Sequence, residues 1–64
     1  MTLDKAREML KTQISLGSGY NRNSAKLILA EVQREHGMAA ADSLIAELQL
    51  DTHFGFKPGV ELHY

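Results

Sequence analysis

Ala25-Lys26-Leu27-Ile28-Leu29-Ala30-Glu31-Val32-Gln33-Arg34-Glu35-His36-Gly37-Met38 is the most regular stretch of the chain. Ala25, Ile28, Leu29, Val32 and His36 recur at spacings of three and four. At about 3.6 residues per turn they fall within little more than a quarter of a helix circumference, which predicts one buried stripe. Leu27 points nearly the opposite way, so a single apolar face does not account for it. Asn21 or Asn23 can cap the start. Gly37 supplies the stop, and Met38 follows at a position that favours an apolar contact with the helix just ended. The expectation is a helix over 22–36.

Working outward, Met38, Ala41, Leu44, Ile45 and Leu48 form a second stripe, which predicts a helix over about 38–49. The run Ala39-Ala40-Ala41 favours helix and permits close packing. The very short connection at Gly37 puts these two helices in contact, as a hairpin or at a steep angle. Before them, Leu3, Ala6, Leu10 and Ile14 recur at helical spacing with Met9 alongside, predicting a helix over about 3–16 that Thr2 caps and Gly17 ends. Asp4 suits the positive end of that helix, and Lys11 lies three residues after Glu8.

After Leu50 the pattern changes. Asp51 is read as the cap of one short turn closed by Gly55, and Lys57-Pro58-Gly59-Val60 as a type II turn. Phe54 and Phe56 are too apolar for a free tail and are expected to pack back on the helices, with residues 60–64 looser. The fold class is therefore all-α: three short helices and a C-terminal segment folded onto them, in a single domain spanning 1–64.

Size and charge narrow the function. The chain has 64 residues, no cysteine and a formal net charge of −1. A domain this small buries only about 60% of the surface its unfolded chain exposes, and such domains commonly gain support from disulfides, a metal or a partner chain. Cysteine is absent, which removes disulfides and thiolate zinc sites and agrees with a reducing, cytoplasmic location. The opening Met1-Thr2-Leu3-Asp4-Lys5 carries an early acid and no apolar run, unlike a signal peptide. No stretch reaches the roughly 20 apolar residues of a membrane span. Seven basic against eight acidic residues argue against general coating of nucleic acid, which depends on neutralising phosphates.

Several residues could carry chemistry. Gly17-Ser18-Gly19-Tyr20-Asn21-Arg22-Asn23-Ser24 runs from a glycine-rich loop into a helix start, a geometry that can hold an anion. Tyr20, Arg22, Asn23, Ser24 and Lys26 are the candidate residues for a phosphate or nucleic acid. The glycine spacing matches neither the Walker loop nor the dinucleotide fingerprint. The helices flanking Gly37 could form a helix-turn-helix, but the second bears Asp42 and Glu47 and no Arg or Lys, which leaves it without the usual base and phosphate contacts. His36, His53 and His63 lack a paired metal-ligand spacing; His36 is expected on the apolar stripe, and no metal or cofactor is predicted. No motif joins a serine to a base, so no catalytic residue is assigned and the chain is read as a non-enzyme.

What remains is a surplus of apolar side chains. Leu27, Leu50, Phe54 and Phe56 exceed what three short helices obviously enclose, and exposed apolar patches mark interfaces. The function expected is a protein-interaction or regulatory accessory module acting as a homodimer, or bound to another protein, with these four residues as anchors. The alternative is a nucleic-acid or phosphate-ligand binder using the loop and the start of the second helix.

Overall fold

The computed structural model describes residues 1–17 and 21–62; Ser18, Gly19, Tyr20, His63 and Tyr64 lie outside the described residues. Four helices follow one another: α1 (Leu3–Ser15), α2 (Arg22–His36), α3 (Met38–Leu48) and α4 (Leu50–Phe54). No strand occurs among the described residues. The three long helices lie where the periodicity puts them. The fourth arises from the short turn after Leu50, and it changes the expected count from three helices to four.

Local chemistry sets the boundaries. The Thr2 hydroxyl accepts the Lys5 amide at 3.0 Å, satisfying one orphan donor of α1. Gly37 is the sole residue between α2 and α3, with φ 96° and ψ 168°. That region of backbone space is essentially restricted to glycine. Asn21 stands at the cap position of α2 but makes no side-chain capping bond. Its amide instead donates to the carbonyls of Gln13 at 3.2 Å and Gly17 at 2.7 Å, tying the end of α1 to the start of α2. The expected continuation of α3 through Gln49 does not occur, because Gln49 takes a left-handed conformation, φ 55°. The Gln49 carbonyl then accepts the amides of Thr52 and His53 at 3.0 Å, so Gln49 starts α4 in the role expected of Asp51.

All three long helices meet in one core. It contains Ala6 and Leu10 of α1, Ala25, Ile28, Leu29 and Val32 of α2, and Ala41, Leu44 and Ile45 of α3. Each long helix contributes an alanine with no exposed surface, Ala6, Ala25 and Ala41, and small side chains at a contact let helix axes approach closely. Leu50, Phe54 and Phe56 complete the same core, with Phe54 and Phe56 ring centroids 6.0 Å apart. Their expected role as anchors for another chain is therefore corrected: the tail has found its apolar partners within its own chain.

Polar contacts fasten the periphery. Arg7 joins α1 to α3, with Nε 2.6 Å from Glu47 and Nη1 2.7 Å from Asp4. Lys11 pairs with Glu8 at 3.5 Å. His36, expected on the buried stripe, is exposed, because the last turn of α2 overhangs the core edge; its Nε2 lies 2.8 Å from the Met1 carbonyl. The Met1 amine sits 2.7 Å from Glu35 and 4.0 Å from Glu31. The segment after Phe56 is hydrogen-bonded to the helices through residue 62, within the stretch expected to be looser from residue 60. His63 and Tyr64 of that expectation lie outside the described residues. Gly59 donates to Asp42 at 2.9 Å, and the Gln33 amide bonds both the Val60 carbonyl and the Leu62 amide. Gly59 has φ 80°, as the expected turn at Lys57–Val60 requires.

Two outcomes follow. Leu29 has no exposed surface, so Leu29→Ala is expected to lower unfolding free energy by about 2–5 kcal/mol. Leu27→Ala on the same helix is expected to change it by no more than about 0.5 kcal/mol; urea titrations followed by circular dichroism compare the two. The second concerns pH. The hydrogen bond and charge of the Met1 amine hold the Glu35 carboxyl below its ordinary value of 4.5, and Glu35 raises the amine above 8.0. A depressed carboxyl contributes stability that is fully present above 4.5 and is lost as pH falls through the lower folded value. A raised amine contributes stability that is fully present below 8.0 and is lost as pH rises through the higher folded value. Wild type is therefore expected to exceed Glu35→Gln in urea midpoint between 4.5 and 8.0 and to converge with it on either side.

Candidate interaction face

Between α1 and α2 the surface carries an open groove with a large exposed aliphatic side chain at its edge. Leu27 stands there with 54% of its surface exposed. It borders an open groove of about 370 Å³ lined by Met1, Met9, Gln13, Ser24, Leu27, Ile28 and Glu31. Helical spacing explains the grouping. On α2, Leu27 and Ile28 stand three and four residues after Ser24, and Glu31 stands four and three after them, so the four share one side. On α1, Met9 and Gln13 stand in the same relation. Leu16, 68% exposed at the end of α1, follows Met9 by seven residues and continues that row.

The groove suits an apolar visitor. Met9 and Met1 supply flexible, polarizable thioethers that adapt to the shape of a neighbour. Ile28 lines the groove and also belongs to the core, so this part of the groove is anchored to the packed interior. Gln13, Ser24 and Glu31 give the rim hydrogen-bonding capacity. Glu31 lies 3.6 Å from Arg34, which keeps the charge at that end of the groove balanced.

The candidate anion-binding residues do not gather in this way. Tyr20 lies outside the described residues. Arg22 is turned toward the tail: its Nε donates to the Phe54 carbonyl at 2.9 Å, and its guanidinium lies 4.7 Å from the centre of the Phe56 ring. A cation over an aromatic face is attractive, so Arg22 helps hold the tail in place. Ser24, two residues on and hence about 200° around the helix, lines the apolar groove. Asn23 is exposed between them, and Lys26 is half-buried on the Arg22 side, one turn along. Among the described residues, no three His, Cys, Asp or Glu side chains assemble into a metal-holding group.

Of the four expected anchors, only Leu27 is exposed; Leu50, Phe54 and Phe56 lie inside the core. Met1, Met9, Gln13, Ile28 and Glu31, which line the groove with Leu27, are not among the sequence-based candidates. The spacing of Met9 and Leu16 carried the signal, but which flank of α1 the core would cover was not decided by spacing alone. No helix of the described residues is long and apolar enough to cross a membrane. No protein-family model matches this chain, and no curated protein or solved structure is found to be similar to it.

Proposed function

We propose that this chain is a non-enzymatic interaction module that acts as a homodimer through the α1–α2 face. The observation that carries the reading is Leu27, a large aliphatic side chain held out beside an open apolar groove by a helix whose other faces pack against the protein. A knob and a hole on the same face are what a twofold pairing requires, since each copy's Leu27 then reaches the other's groove. Stable interfaces bury about 800 Å² on each partner, about a fifth of the 3993 Å² that this domain exposes. One helix-pair face is a reasonable share of that surface. A regulatory accessory role follows from the same property, because a domain with one sticky face contributes contacts and no chemistry. A cytoplasmic setting completes the proposal, on the cysteine-free composition.

Sedimentation equilibrium of the purified protein tests it. A dimer is expected at tens of micromolar, and Leu27→Glu is expected to weaken it by about 2 kcal/mol or more, the usual loss at a central interface residue. Circular dichroism of the variant should match wild type, because Leu27 is not part of the core cluster. A wild type that stays monomeric, or a dimer indifferent to Leu27→Glu, sinks the proposal.

A further inference from the structure

Cysteine is absent, so the thioethers of Met1, Met9 and Met38 are the only sulfur groups in the chain. Two of the three, Met1 and Met9, line the groove beside Leu27. Both are half-buried and pack against the core as well. Met9 is fixed within α1, on the row that Leu16 continues, so it belongs to the face on which Leu27 stands. Met38 is placed differently. It does not line the groove, and its sulfur accepts the Gln33 side-chain amide at 3.3 Å. The groove is open and about 370 Å³ in volume, which admits an oxidant of a few atoms.

We infer that Met9 is a reversible oxidation site through which peroxide dissolves the α1–α2 dimer. This regulation rests on the homodimer proposed above. The sulfur lone pair takes one oxygen from hydrogen peroxide: the O–O bond breaks, an S–O bond forms, and the second oxygen leaves as water after proton transfer. Sulfur is oxidised by two electrons and the peroxide is reduced by two. The product, methionine sulfoxide, is polar where the thioether was apolar, and methionine sulfoxide reductases reverse the change at the expense of a dithiol. In the paired state each groove holds the other copy's Leu27, so the sulfoxide oxygen would be buried there without a dedicated donor, which is unfavourable. In the separate chain the same oxygen meets water in the open groove. Oxidation therefore proceeds through the monomer and holds the chain in that state.

The test treats purified wild type with hydrogen peroxide, maps each methionine by peptide mass, and measures the dimer Kd by sedimentation equilibrium. Conversion of Met9 is expected to raise Kd about tenfold or more. Incubation with both methionine sulfoxide reductases and a dithiol is expected to restore it. Met9→Leu keeps an apolar side chain of similar volume; it is expected to dimerise as wild type does and to keep its Kd after peroxide. Met38→Leu is expected to lose its dimer on treatment as wild type does. Circular dichroism is expected to show unchanged helix in the oxidised protein. Loss of the helical signal on oxidation, protection by Met38→Leu, no protection by Met9→Leu, or a Met9 that stays reduced while Met38 is oxidised each overturn the inference. A wild type that is monomeric before any oxidant ends the dimer reading itself; a dimer that survives full conversion of Met9 ends this inference alone.

Discussion

Gly37 is the only residue between α2 and α3, and its backbone angles are open to glycine alone. That joint fixes where α3 starts and keeps its first turn beside the end of α2. With no slack in the connection, the Ala25–Ile28–Leu29–Val32 stripe of α2 and the Ala41–Leu44–Ile45 stripe of α3 form the two central walls of the core. The positions left for α1, α4 and the tail are what those two helices leave uncovered. No Cβ at Gly37 would meet a neighbouring atom within 4 Å, so the constraint there comes from backbone conformation and not from crowding.

A chain of this size has too little interior to be wasteful, and the tail shows how the shortage is met. Leu50, Phe54 and Phe56 enter the core beside α2 and α3, each side chain of this kind contributing about 1.5–3 kcal/mol when fully buried. Their enclosure changes the meaning of the apolar surplus. It is smaller than the composition suggests, and among the described residues its large exposed members are Leu16, Leu27 and Val60. Arg22 is drawn into the same arrangement: its guanidinium holds the Phe54 carbonyl and the Phe56 ring.

Polar side chains then do at the periphery what apolar ones do inside. Asn21 closes the end of α1, Arg7 joins α1 to α3, and Gln33 with Asp42 holds the segment after Phe56. Each such bond contributes modestly, about 0.5–1.5 kcal/mol for a neutral pair. Their importance lies in position, because they act where hydrophobic burial cannot reach. Among the described residues, every buried side-chain nitrogen or oxygen has a partner.

The sequence alone determined the three long helices, because apolar periodicity, Thr2 and the glycines at 17 and 37 are local signals of helix faces and ends. It also marked Leu27 as lying off the main stripe of α2, which is a matter of angle along one helix. It placed Gly59 correctly in a turn for the same kind of reason. The tertiary structure decided everything that depends on which elements become neighbours. Spacing could not tell whether Phe54 and Phe56 would meet their own helices or another chain, since both fates bury the same apolar surface. Nor could it assign Gln33 to the backbone of residues 60 and 62, a pairing across 27 and 29 positions of sequence. The left-handed turn at Gln49 was hidden too, because glutamine favours helix and packing of α4 overrides that preference. Local periodicity thus fixed the elements, while the destination of each side chain was set by contacts between residues far apart in the chain.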